Sequence, residues 1–320
     1  MNKAALLSVI AGATVALLAI LGTGARAASA DGGPHVVESG ATPDKCAGCH
    51  RIHTGQNEYL LKQAGTVRDF CYSCHGNGGP GSDLAVQEGT FYGGTTPGAP
   101  YGGKAASTTV GLRAGGFDLA RINSTDAGFE QIGVLGTAQA VTSWHTNDGS
   151  TAGTIWGNGA INTGAGPSLT MECTSCHDPH GNGQYRILRS IPLGSGAAVG
   201  VNVTDQAAPR DYTTANYFST GPVSGVEISS WCATCHTRYL SSSTASSGDA
   251  IFTNRHRSNG SLGTTCIKCH AAHGTNAAMP GPYSSTVEWP GGGVGTTDNN
   301  NSRLLKMDNR GICLKCHSGY

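Results

Sequence analysis

Charge is scarce in this sequence. Asp, Glu, Lys and Arg together make up 12% of its 320 residues, and the 20 basic and 20 acidic residues cancel. The usual charged share is about 25%, so no strongly charged face and no nucleic-acid partner are expected. Aromatic residues are only 6% and hydrophobic residues 38% of the chain, while glycine is 49 of the 320, about twice its usual share of roughly 7%. Long aliphatic side chains are too few for an ordinary core, and such a composition leans toward loop. No segment after residue 21 is apolar enough to cross a bilayer. No cysteine stands near residue 27, which excludes a lipoprotein anchor there.

The apolar run that does exist lies at the start. After Met1, Asn2 and Lys3, residues 4–21 are mostly apolar, diluted by Ser8, Gly12 and Thr14, and Ala25-Arg26-Ala27 follows as a small-x-small site. This is the layout of a secretory signal peptide. Residues 1–27 are expected to be removed, leaving residues 28–320 as a secreted chain with no membrane span. An uncleaved anchor is the alternative, since about 18 apolar residues can just span a bilayer. Without Lys3 and Arg26, 18 basic residues face 20 acidic ones, so the mature chain stays close to neutral.

Cysteine outside one short pattern is also absent. All 12 cysteines fall in six C-x-x-C-H motifs: Cys46/Cys49/His50, Cys71/Cys74/His75, Cys173/Cys176/His177, Cys232/Cys235/His236, Cys266/Cys269/His270 and Cys313/Cys316/His317. Two intervening residues let both sulfurs reach the two vinyl groups on one edge of a haem, and the next residue turns its imidazole under the iron. This is the c-type haem attachment signal, with histidine as a normal axial ligand. A disulfide scaffold, a zinc site or a thioredoxin-like pair would also use spaced cysteines. None of these requires a histidine after every second cysteine, and no βαβ pattern surrounds any motif. With 12 histidines in 320 residues, six chance placements have a probability on the order of one in 10⁸. Six covalently bound haem c groups are therefore expected.

Six further histidines remain: His35, His53, His145, His180, His256 and His273. Six haems need six distal ligands, so the count balances, and an enzyme with an open distal site is not expected. Their positions repeat. His53, His180 and His273 each lie three residues after a motif histidine, and His35, His145 and His256 each precede one of those same three motifs. The chain thus reads as three two-haem units, about residues 35–75, 145–236 and 256–317, separated by Gly/Ser/Thr-rich spacers with many turn signals. A histidine three residues beyond a proximal ligand cannot easily bend back to the same haem. His53, His180 and His273 are therefore expected to ligate the second haem of their own unit. By elimination, His35, His145 and His256 would serve the first haems.

No segment shows long periodicity. The expected fold is mostly irregular, with short helices at the haem motifs and at residues 58–63, and short strands at residues 131–135, 139–143 and 199–203. The haem chain would be the core of a single unit.

The doubled motifs, with strings such as Thr142-Ser143-Trp144-His145, Cys173 to Gly181 and Asp308 to Cys313, resemble the doubled-CXXCH multihaem cytochromes. Among those they look especially like extracellular cytochromes that polymerise into nanowires. That resemblance implies electron transfer through bis-histidine haems, stacked haem pairs joined at angled junctions, and a homopolymer. It also implies an extracellular or cell-surface location, with redox proteins or extracellular acceptors as partners. In that group a histidine near the N-terminus can ligate a haem of the next subunit, and His35 occupies a comparable place. His35 is thus open to a role in cis or in trans. A discrete soluble shuttle, periplasmic or extracellular, is the alternative reading, followed by a multihaem reductase with an open haem site.

Overall fold

The computed structural model describes residues 35, 46–76, 82, 84–92, 95–96, 103–104, 109–122, 135–164, 166–204, 225–248, 255–259, 264–278, 302–308, 311–314 and 317. All belong to one compact unit, Gly33–Tyr320. The expected signal peptide, the strand expected at residues 131–134 and Cys316 lie outside the described residues.

Among the described residues regular structure is short, and the longest helix is α1 (Val67–His75). Thr66 caps it, accepting from the Asp69 amide at 3.1 Å while the Asp69 carboxylate accepts from the Thr66 amide at 3.1 Å, a reciprocal cap that satisfies two orphan N–H groups. Cys71, Cys74 and His75 lie in its C-terminal half. The other helices are α2 (Cys173–Cys176), α3 (Gly225–Cys232), α4 (Cys266–Cys269) and α5 (Gly311–Leu314). Each of these starts or ends on the first cysteine of a motif or contains it. The histidine amide returns to the first cysteine's carbonyl from His50, His177, His236, His270 and His317, at 2.8–3.0 Å. Each of these motifs is therefore one helical turn. That turn sets the two sulfurs, at i and i+3, on the same side.

The strands pair only in small antiparallel sets. β1 (Leu84–Ala85), β2 (Thr90–Tyr92) and β5 (Thr109–Gly111) form one sheet in the order β1-β2-β5, and β3 (Thr95–Thr96) pairs with β4 (Gly103–Lys104). β6 (Leu119–Ile122) pairs with β7 (Leu135–Ala140), and β9 (Asp148–Thr154) with β10 (Ser168–Glu172). β8 (Ser143–Trp144) pairs with β11 (Gly274–Thr275). Two expectations are corrected here. Residues 58–63 are a turn with an isolated bridge at Leu61 instead of a helix, because Leu60 is held at positive φ (56°), which helical backbone does not allow. Residues 199–203 are not a strand. The Val201 amide bonds Ser190 O at 2.8 Å and Val203 O accepts from the Tyr185 amide at 2.7 Å, isolated contacts that tie the segment down without a ladder.

Apolar burial is thin. Among the described residues one buried cluster joins Leu188, Val203 and Ile228, with Tyr185, Trp231 and Ile267 packed on it. Elsewhere the buried apolar residues include Ala85, Ala120, Ala271 and Ala277, whose burial contributes little each.

One close crossing positions two histidines. Gly115 bridges Gly274 in parallel. Ala114 O accepts from the His273 amide at 2.6 Å, and His273 O accepts from the His145 amide at 2.9 Å. Gly115 has φ +72°, and a Cβ there would overlap the Gly274 carbonyl oxygen. Gly115→Ala should lower stability by about 2 kcal/mol or more, from the left-handed backbone plus the displaced carbonyl. Gly196 has the same φ of +72° with nothing near its would-be Cβ, so Gly196→Ala should cost only about 1 kcal/mol. Denaturant titration of the two variants against the parent checks the difference.

Candidate haem-binding site

The motif histidines are oriented by backbone carbonyls. His50 Nδ1 donates to Tyr59 O at 2.8 Å, His75 Nδ1 to Leu84 O at 3.3 Å and His177 Nδ1 to Arg186 O at 2.9 Å. His236 Nδ1 donates to Trp156 O at 2.6 Å and His270 Nδ1 to Arg303 O at 3.1 Å. A carbonyl can only accept, so the proton sits on Nδ1 and the Nε2 lone pair is left free. This is the tautomer and the outer partner that metal-bound imidazoles use.

For the first motif of each unit the carbonyl belongs to a repeated hook. It is built by Tyr59-Leu60-Leu61-Lys62, Arg186-Ile187-Leu188-Arg189 and Arg303-Leu304-Leu305-Lys306. The leucine at the third position bridges the motif histidine: His50 with Leu61, His177 with Leu188, His270 with Leu305. The second hook carbonyl accepts from the residue after that histidine, at 2.7 Å for Arg51, 2.8 Å for Asp178 and 2.8 Å for Ala271. The basic residue's amide donates to the second cysteine's carbonyl, at 2.9, 2.8 and 3.0 Å. Leu60, Ile187 and Leu304 all carry positive φ, 56°, 54° and 66°. The same uncommon conformation on non-glycine residues at three equivalent places marks a built feature. Sequence reasoning missed this hook, although the pattern Leu or Ile, then Leu, then Lys or Arg stands in the sequence three times. Its third copy lies 33 residues after the motif histidine instead of 9, which hides the period.

Five of the other six histidines meet motif histidines ring to ring. His35 faces His75 with centroids 6.0 Å apart, His180 faces His50 at 6.2 Å, and His145 faces His236 at 6.3 Å. His256 faces His317 at 6.4 Å, and His273 faces His177 at 6.4 Å. Every pair joins one motif histidine to one non-motif histidine. Two imidazole nitrogens at about 2 Å from one metal, with ring centres about 1.1 Å further out, place the centroids about 6.2 Å apart. The five pairs, at 6.0 to 6.4 Å, lie on that value; His236 also stacks on Tyr239 at 6.1 Å and His273 on Phe117 at 4.4 Å. The interplanar angles run from 16° to 70°, which rotation about a metal–nitrogen bond permits. The residues fit the group that the motifs call for.

This pairing corrects the expected one. His180 and His273 were expected to serve the second motif of their own unit. They face the first motif of the preceding unit instead. His35, His145 and His256 were expected at the first motifs, and they face the second motif of their own unit. The physical reason is visible at Asp178. Its amide is tied to the hook, and a turn closed by Gly181 N to Asp178 O at 3.0 Å follows. His180 is thereby swung out and exposed, toward His50. The upstream histidines are held by those same segments. His35 Nδ1 donates to Pro179 O at 2.8 Å and His145 Nδ1 to Ala272 O at 2.6 Å, each the carbonyl just before His180 or His273. His53 and His270 appear in none of the ring pairs.

Adjacent units also touch through sulfur. The Cys71 side chain lies against that of Cys173, and the Cys232 side chain against that of Cys266. In both cases the second motif of one unit meets the first motif of the next. Burial keeps the rings neutral. His75 is pushed down to about 4 by burial and then by His35, and His236 to about 4 by burial. His273 is pushed to about 3, by burial and then by His177 and His145. His270 is also lowered to about 4, by burial, although the residue as a whole keeps exposed surface. Lys306, in the third hook, is buried, and burial with Arg113 nearby pushes its ammonium down to about 7.

Residues 38–79 match the family described as Doubled CXXCH motif. The match spans both motifs of the first unit. No curated protein and no solved structure matches the chain. The doubled motif supports a multihaem c-type cytochrome. The CXXCH cysteines are the positions for covalent haem c, and the four motifs beyond residue 79 repeat the spacing of the matched two.

Histidines with folded values near 4, against about 6.5 when unfolded, bind fewer protons folded than unfolded between those values. Stability therefore rises with pH across that window and is lost as pH falls from about 6.5 toward 4. Iron ligation also selects the neutral ring and acts in the same direction. The denaturant midpoint should fall steadily from pH 7 to pH 4.5, measured with the haem absorption as reporter.

Proposed function

We propose that this cytochrome carries electrons through six covalently bound haems with bis-histidine ligation, as a secreted, extracellular conduit or filament subunit. The carrying observation is the five imidazole pairs at 6.0–6.4 Å, each joining a motif histidine to a non-motif histidine. A bis-histidine haem supplies one-electron exchange at an iron whose ligands do not change.

The chain's own residues do the holding. The paired cysteines anchor each group along one edge. The Nδ1–H bonds to Tyr59 O, Leu84 O, Arg186 O, Trp156 O and Arg303 O fix the ring directions. His35 with His75, His180 with His50, His273 with His177, His145 with His236 and His256 with His317 form the proposed axial pairs. The juxtaposed sulfurs of Cys71 and Cys173 and of Cys232 and Cys266 favour close approach of groups attached to neighbouring units. A filled distal position on each iron favours electron transfer over substrate turnover.

The intact mass of the secreted, reduced protein should exceed that of residues 28–320 by six haems, and carbon monoxide should leave its spectrum unchanged. His180→Ala should keep all six haems and create one haem in six that binds carbon monoxide. A mass without haem, or a native protein in which one haem already binds carbon monoxide, counts against this function.

A further inference from the structure

The third hook is braced from outside its own unit. Arg303 and Leu304 both stand in the left-handed region, at φ 54° and 66°, where L-residues stay only if the surroundings hold them. The Arg303 guanidinium carbon lies over the Trp156 ring, 5.6 Å from its centroid, within cation–π range. In the second hook Arg186 and Ile187 are left-handed as well, at φ 50° and 54°, and the Arg186 guanidinium lies over the Tyr185 ring at 5.7 Å. Both left-handed arginines of the hooks are thus seated on an aromatic face. Tyr185 is the chain neighbour of Arg186, whereas Trp156 belongs to the unit before that of Arg303.

Backbone carbonyls of the same two residues orient two motif histidines. Trp156 O accepts from His236 Nδ1 at 2.6 Å, and Arg303 O accepts from His270 Nδ1 at 3.1 Å. Each segment is tied to its own motif. Asn158 Nδ2 donates to Cys235 O at 2.7 Å and the Arg238 amide to Gly157 O at 2.9 Å. The Ala271 amide donates to Leu304 O at 2.8 Å and the Lys306 amide to Cys269 O at 3.0 Å. The Cys232 and Cys266 side chains lie against each other, so the two motifs are neighbours. At the junction of units one and two the corresponding carbonyls belong to Leu84 and Arg186. Leucine offers a cation no π face, so this brace is particular to the second junction.

We propose that Trp156 and Arg303 are paired positioning residues, whose side-chain contact fixes the imidazoles of His236 and His270 in concert and so sets the reduction potentials of both haems together. This rests on the haem-ligation reading above and names residues that tune two of its members. A firm Nδ1–H bond makes a metal-bound imidazole the more basic ligand, and the stronger donor favours ferric iron and a lower potential. Breaking the contact loosens both carbonyls, weakens both Nδ1–H bonds and raises both potentials. Loss of the Arg303 charge by itself acts with the opposite sign, because a nearby cation favours the less positive, reduced haem.

The test is a redox titration of the secreted, haem-loaded protein followed by NMR, with haem content read by mass and folding by denaturant titration. Trp156→Leu keeps the Arg303 charge. It should raise two of the six potentials, by about twofold to tenfold in the equilibrium constant for reduction, and leave the other four in place. Arg303→Gln should raise the same two by a smaller step, the lost charge notwithstanding. Combining both changes should give the potentials of Arg303→Gln alone, since the contact is already gone. Trp156→Phe and Arg303→Lys keep a cation on a ring and should raise the same pair only slightly; they decide the matter if the harsher variants do not fold. A shift confined to one haem, no shift, additive shifts in the double variant, or lowered potentials in Arg303→Gln overturn the proposal. Wild-type protein without six covalent haems refutes the underlying haem reading instead.

Discussion

The facing of two imidazoles across a fixed gap is the constraint on which the rest of this structure depends. Each pair joins positions that lie far apart in the chain: His35 to His75, His50 to His180, His177 to His273. A chain with 49 glycines loses much conformational freedom on folding. Its apolar clusters, such as Leu188 with Val203 and Ile228, are small. In the proposed function, ligand bonds at such pairs would couple group binding to folding and give a sequence poor in core side chains a defined tertiary arrangement.

Everything local serves the direction of a ring. The single turn of each described motif sets the two cysteines on one side. A backbone carbonyl takes the Nδ1 proton, and the hook brings that carbonyl to the first motif of every unit. Positive φ at Leu60, Ile187 and Leu304 is tolerated because several hydrogen bonds over-determine it. The tight crossing of Gly115 on Gly274 does the same work at a longer range by placing His273 and His145 together. These devices use backbone groups, which explains how spacers of little aliphatic content can still bring ten histidine side chains face to face.

The repeat is also displaced from where its sequence boundaries suggest. Units read along the chain as residues 35–75, 145–236 and 256–317, yet the first motifs of units one and two draw their facing histidines, His180 and His273, from the following unit. The units interlock and are not separate modules.

The sequence by itself determined the chemistry. The C-x-x-C-H spacing specifies the attachment, the histidine count specifies the kind of ligation proposed, and both follow from residue type and short separation alone. The helical turn at the motifs was legible for the same reason. The partner of each histidine was not, because sequence nearness favoured His180 for the haem of His236, whereas the turn after Asp178 carries it to His50. The third hook was equally hidden, since Arg303 lies 33 residues beyond His270 and only chain folding brings its carbonyl back. Residue identity and local spacing fix what a group can bind. Which two groups share one metal depends on long-range backbone paths, and those the tertiary structure alone decided.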